Sequence, residues 1–335
     1  MDDFSTNRHA ENLVKFDFVP PSPSRHPDLW FSDGNIALVA GMFYFNVHKG
    51  LISRNSAPLA DAVNLRFSLL ADASCLSSGI KHDAQDFDNV ASLLRLTTKY
   101  CVEHIRKDII RGMSAIWPKT LSAWEFREAD ATDPTGVYKP RAIYPHPILV
   151  INLARETATA DLLPSAFYDL SRCAASEIAT GYLTPGVTDR SEMHILSDDD
   201  LLNTLRGREH ASRFLSTFVV NELEGRDVSA GCVYRNDPDP FRKRLCQATF
   251  EATTFEILRD VNGVVFHRSS DPLFAIMDAD LMQTRSDSAN GRLSLLHRAC
   301  EPCRVEFTAS VDAAREEMWH KLPGWFGITG LTSWP

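Results

Sequence analysis

No run of apolar residues in this chain reaches the ~18 needed to span a bilayer. Its opening, Met1 to Ser5, holds none of the apolar stretch that a secretory signal carries. The expectation is a protein of the cytoplasm or nucleus with no membrane partner. Cysteine is sparse: seven in 335 residues, an odd number scattered along the chain. That distribution excludes a secreted disulfide framework. Positive charge is also short, with 35 Lys and Arg against 44 Asp and Glu and a net charge of -9. An acidic chain repels a phosphate backbone unless its cations are concentrated locally. The densest cluster, Arg242-Lys243-Arg244, is three residues long and reads as the solvated face of a helix rather than a nuclear-import or phosphate-binding patch. Nucleic acid is therefore not an expected partner.

Motifs that carry chemistry are equally thin. No Gly-x-Ser-x-Gly elbow occurs, and the eleven histidines are scattered. Gly327-Ile328-Thr329-Gly330 has no helix after it to make a phosphate cradle. Asp198-Asp199-Asp200 follows Ser197 and is explained by capping of a helix start. The chain is expected to be neither an enzyme nor a cofactor carrier. Cys300-Glu301-Pro302-Cys303 is the one Cys-x-x-Cys motif. A structural zinc site needs four ligands. Cys232 and His297 are conceivable contributors, but no second paired motif is present. The simpler reading leaves Cys300 and Cys303 as small hydrophobes on a helical stripe with Leu296 and Phe307, and no metal.

What the chain does have is an ordinary globular balance, 44% hydrophobic and 24% charged, enough for about two domains. Residues 1–24, ending in Pro20-Pro21-Ser22-Pro23, read as a disordered lead-in. Asp33-Gly34-Asn35 is a turn signal; the apolar run Ile36 to Ala40, Gly41, and the alternating Phe43 to Val47 predict a β-hairpin. Residues 64–86 show no sustained period. Beyond Phe87, Leu94, Thr98, Cys101, Ile105 and Ile109 recur at intervals of three and four, which predicts two helices broken near Tyr100. Pro and Gly crowd residues 129–146, marking a linker. Helices are expected at 148–160 and 162–179. A stripe of Phe241, Leu245, Ala248, Ala252 and Phe255 follows, and then a last stripe through Cys300, Cys303, Phe307, Ala314 and Met318. Trp319, Leu322, Trp325, Phe326 and Trp334 form an aromatic tail that is expected to pack back on its own helices rather than to dock a partner.

Asp33 to Ser56 resembles the opening of a BTB/POZ domain. The resemblance is carried by Phe45, Val47, His48 and Lys49, followed by Leu51, Ser53 and Ser56 at fixed helical offsets. The wider layout is similar to the BTB proteins expanded in mushroom-forming fungi, with His26 to Asn35 at the front and Trp319, Leu322, Pro323, Phe326 and Gly327 at the back. The resemblance implies an α/β BTB/POZ-like domain over 25–128, a small sheet capped by helices, in which the hairpin and the pair around Tyr100 form one compact unit. An all-α region over 147–327 and a tail at 328–335 would follow. The family's third strand is not found in residues 57–86, so the domain is incomplete, by authentic shortening or by a gene-model error. The function implied is protein–protein interaction, through self-association as a homodimer and recruitment of partners. A substrate adaptor on a cullin-type ubiquitin ligase scaffold, a transcription or chromatin regulator, and a degenerate fragment without a partner stand as alternatives. Asp33 and Lys49 are the residues that would make the family's buried charged pair, and His48 would be structural.

Overall fold

The computed structural model describes residues 23–64, 86–184, 192–284 and 298–335. The expected lead-in and the site of the missing third strand fall largely outside them. Three strands open the described chain: Ser24–Trp30 (β1), Ile36–Ala40 (β2) and Phe43–Val47 (β3). The hairpin is as expected: β2 and β3 pair antiparallel, from Ile36 opposite Val47 to Ala40 opposite Phe43. Gly41, at φ +54°, supplies the left-handed turn residue. β1 is a strand that hydropathy alone does not reveal. It lies parallel to β3 in the order β1-β3-β2, and its register breaks between Arg25 and Trp30. Pro27 lies in that irregular stretch, on an edge strand where a missing N–H does least harm. Two short helices follow, Lys49–Asn55 (α1) and Ala57–Asn64 (α2).

The chain divides into two compact units, residues 1–78 and 79–335. This differs from the expected boundary at 129–146, and it separates the hairpin from the helix pair that was to complete its domain. The pair itself forms as read: Phe87–Lys99 (α3) and Glu103–Ile116 (α4). Its apolar face, Phe87, Val90, Leu94, Ile109 and Met113, belongs to the large core of the second unit. Leu121–Asp130 (α5) is capped by the Thr120 hydroxyl, which accepts from the Ala123 N–H.

Residues 129–146 are not a linker. Tyr138 and Tyr144 are buried, the Tyr138 N–H donates to the Phe266 carbonyl, and Asp133 Oδ1 accepts the N–H groups of Thr135 and Val137. Proline and glycine shape a folded loop here rather than a flexible one. Pro147–Glu156 (α6) starts at His146, whose Nδ1 accepts the Ile148 N–H. Leu163–Ser171 (α7) is buried along its whole length, with Pro164 in its first turn. A helix apolar on most sides belongs at the centre of a body, and α7 is that centre.

Ala175–Thr180 (α8) leads to a small antiparallel pair, Tyr182–Thr184 (β4) and Glu192–His194 (β5). Asp198–Phe218 (α9) is capped by Ser197 as expected and runs into a π turn at Val219–Leu223. Pro240–Lys243 (α10), Leu245–Leu258 (α11), Val261–Val265 (α12), Pro272–Thr284 (α13) and Glu301–Trp325 (α14) complete the body.

The stripe read through Phe241 and Phe255 faces solvent, the two rings being 88% and 66% exposed. The buried side of α11 is Cys246, Thr249, Phe250 and Thr253. Each threonine hydroxyl donates to a carbonyl one turn back, so polar residues occupy the core face without an unmet donor. The aromatic tail does pack back: Phe326 stacks on Phe167, Trp334 on Trp319, and the Trp334 indole donates to the Trp319 carbonyl. α9 closes on this tail at Gly207, where a Cβ would overlap the Phe326 ring. No described helix is long and apolar enough to cross a membrane.

Candidate functional site

The first unit carries most of the residues singled out from the sequence. His48 sits at the strand-to-helix junction, its carbonyl accepting the N–H groups of Leu51 and Ile52 to open α1, its ring 5.6 Å from Phe31. Ser56 is buried and its hydroxyl accepts the Leu59 N–H at the start of α2. Phe45 stacks on His26, and Val47 faces Ile36 across the hairpin. The buried pair assigned to Asp33 and Lys49 does not form. Asp33, in an exposed turn, lies 3.5 Å from His48 Nε2, and the Lys49 side chain is exposed while its N–H donates to Asn35 Oδ1. Among the described residues of this unit, Ala40 is the one buried apolar side chain. Phe31, Met42, Phe43, Tyr44 and Leu51 are exposed by 36% to 61%. Leu51, a motif position, therefore faces outward.

The second unit holds an unforeseen buried ion network. The Arg127 guanidinium donates to Glu128 and Asp169 at 2.9 Å and lies against the faces of Trp117, Trp124 and Tyr144. Arg172 donates to Glu128, Asp271 and Asp169 at 2.7 Å and to the Tyr138 hydroxyl at 2.8 Å. Arg268 reaches Glu128, Arg141 reaches Asp169, and the Tyr168 hydroxyl donates to Asp271. The result ties α5, α7 and the loop before α13 together.

A cleft of about 190 Å³ beside the network is lined by Arg141, Asp169, His267 and Asp271 among others. An imidazole and two carboxylates in one cleft invite an acid–base reading, but both carboxylates are already spoken for. Burial raises the affinity of Asp169 for a proton, yet Arg141, Arg127 and Arg172 outweigh it and hold the group well below the usual carboxylate range. Asp271 is likewise lowered against its burial, by Arg172 and Arg268. Carboxylates so acidified are poor bases near neutral pH. We read the network as a structural clamp.

Four cysteines converge elsewhere in this unit. Cys232 lies in the loop after the π turn, Cys246 in the first turn of α11, Cys300 at the N-cap of α14 and Cys303 three residues on. All four Sγ atoms lie within 4.8 Å of one another. Burial pushes the Cys246 thiol up to about 12 and raises Cys303 as well. At Cys300 burial is outweighed by the N–H groups of Cys303 and Val233, and the thiol falls to about 7. The reading of Cys300 and Cys303 as isolated small hydrophobes is corrected by the two thiols brought to them. Cys246 was hidden because the wrong face of α11 was taken as the core. Cys232 stands alone in a loop. His297, the other ligand considered, lies outside the described residues.

Comparison with protein-family models, with curated proteins and with solved structures finds no match to this chain.

Proposed function

We propose that this chain is a non-catalytic protein-interaction module whose adhesive surface is the N-terminal sheet unit and whose first partner is a second copy of itself. One observation carries the reading: a unit with a single buried apolar residue among those described leaves Phe31, Met42, Phe43, Tyr44 and Leu51 in water. Fully burying such a side chain stabilises by roughly 1.5–3 kcal/mol, so covering the exposed 36% to 61% of each is worth about 1 kcal/mol, and this surface gains by association. A three-stranded sheet with β1 and β2 at its edges also offers backbone groups for strand addition. The BTB/POZ-like motif from Phe45 to Ser56 agrees in kind, as does a cytoplasmic or nuclear setting. Because the helix pair around Tyr100 lies in the other unit, the reading rests on the sheet's own surface and not on a complete BTB core.

Size-exclusion chromatography with light scattering tests it on the full chain. The expected mass at micromolar concentration is that of two chains. Phe43→Ser combined with Leu51→Ser is expected to halve it while leaving far-UV circular dichroism unchanged. A wild-type chain that stays monomeric throughout that range would overturn the proposal.

A further inference from the structure

We propose that Cys232, Cys246, Cys300 and Cys303 bind one zinc(II) ion as four thiolate ligands. The inference is independent of the interaction reading and goes beyond it. Cys232 Sγ lies 3.8 Å from Cys246 Sγ and 3.7 Å from Cys300 Sγ. A tetrahedron built on zinc–sulfur bonds of ~2.3 Å has edges of about 3.8 Å, whereas a disulfide would bring two sulfurs to about 2.05 Å. Two of the separations thus match the edges of a zinc tetrahedron, and all four sulfurs lie within 4.8 Å of one another. Cys232, Cys246 and Cys303 are buried and Cys300 is half-buried, which closes the centre on the protein side as structural sites require.

The surroundings prepare the sulfurs for negative charge. The Cys300 N–H donates to Cys246 Sγ at 3.2 Å. Cys300 and Cys303 also occupy the N-terminal end of a 25-residue helix, where the backbone dipole favours anions. Binding exchanges protons for metal: Zn²⁺ displaces one proton from each thiol, four in all, and leaves a centre of net charge -2 held by these donors. Four sulfurs in a tetrahedron select zinc or iron, and the proposal commits to zinc.

The centre also has structural work to do. The loop from Glu224 to Asp239 carries Arg226, Asp227, Arg235 and Asp237, with Val228 and Tyr234 packed partly buried against the core and Val233 69% exposed. A metal staple through Cys232 adds a tether to the packing that Val228 and Tyr234 already provide. It pins the loop to the starts of α11 and α14, one turn before the tilted Phe250 and Phe307 rings, whose centroids are 5.0 Å apart.

Elemental analysis of the full chain, purified without chelator, is expected to find one zinc per chain. Cys232→Ser and Cys303→Ser should each lose it, while Cys101→Ser, an exposed thiol outside the cluster, should retain it. Since the loss variants can also misfold, the wild-type chain provides a second readout. Zinc is stripped and replaced by cobalt(II), which should give an intense thiolate-to-metal charge-transfer band and tetrahedral d–d bands that added zinc abolishes. Wild-type protein without zinc, iron in its place, or an octahedral cobalt spectrum would each overturn the assignment.

Discussion

Replacing Arg172 by Met tests whether the buried network clamps the helical body. The Arg172 side chain is 7% exposed and donates to Glu128, Asp169, Asp271 and Tyr138. Methionine fills similar apolar volume against Trp124 and Tyr168 but returns none of these bonds. Breaking one partner from a buried ion pair costs about 3–5 kcal/mol. In a body of this size each kcal/mol moves the midpoint by ~2–4 °C, so the melt should fall by roughly 6–20 °C. Far-UV circular dichroism against temperature, at low and high salt, reads the shift. Burial shields the network, so the loss should be nearly independent of salt. Arg95→Ala provides the contrast, since its pair with Glu156 is about half exposed on both sides and worth ~0–1 kcal/mol. Adding Asp271→Asn should cost less in the Arg172→Met background than alone, with a coupling of about 1–3 kcal/mol. An Arg172→Met melt no lower than that of Arg95→Ala would refute the clamp.

Two further outcomes follow from side chains already described. His146 caps α6 through an unprotonated Nδ1, and burial together with Arg141 lowers its pKa to about 4. A histidine with a folded pKa below its unfolded value lends stability above pH 6.5 that is lost as pH falls toward 4; urea midpoints should drop across that window, and His146→Asn, which keeps a cap acceptor without the titration, should flatten it. Gly207→Ala should destabilise by about 1–3 kcal/mol through overlap with Phe326; a chemical-denaturation curve should show the loss, and Phe326→Leu in the same chain should recover part of it.

Local pattern was readable in the sequence where side-chain period and turn chemistry agree. The hairpin around Gly41, the break at Tyr100, the Ser197 cap and the inward-folded Trp334 all follow from such agreement. Tertiary assignment was not readable. The α3–α4 pair has an amphipathic face that any apolar surface could cover, and the BTB/POZ resemblance put it with the hairpin; the core it joins is built from later helices. α11 misled because hydrophobicity ranks Phe241 and Phe255 above Thr249 and Thr253, while hydroxyls bonded to the backbone bury at little cost. The network was invisible because Arg127, the Asp169–Arg172 pair and Arg268 lie far apart in the chain and each resembles a surface charge until folding faces them together. Cys300-x-x-Cys303 was half of a pattern whose other half, Cys232 and Cys246, has no short spacing to betray it.

Cys246 and Cys300 stand 54 positions apart along the backbone, yet one N–H links them in space. A protease that cut the chain anywhere between them would leave both pieces gripping the same four-sulfur knot. Such a nick would pass unnoticed in a native sizing column and show as two bands only once a denaturant and a chelator had undone the knot. Limited digestion compared under those two conditions would therefore map how firmly this corner of the molecule is sewn.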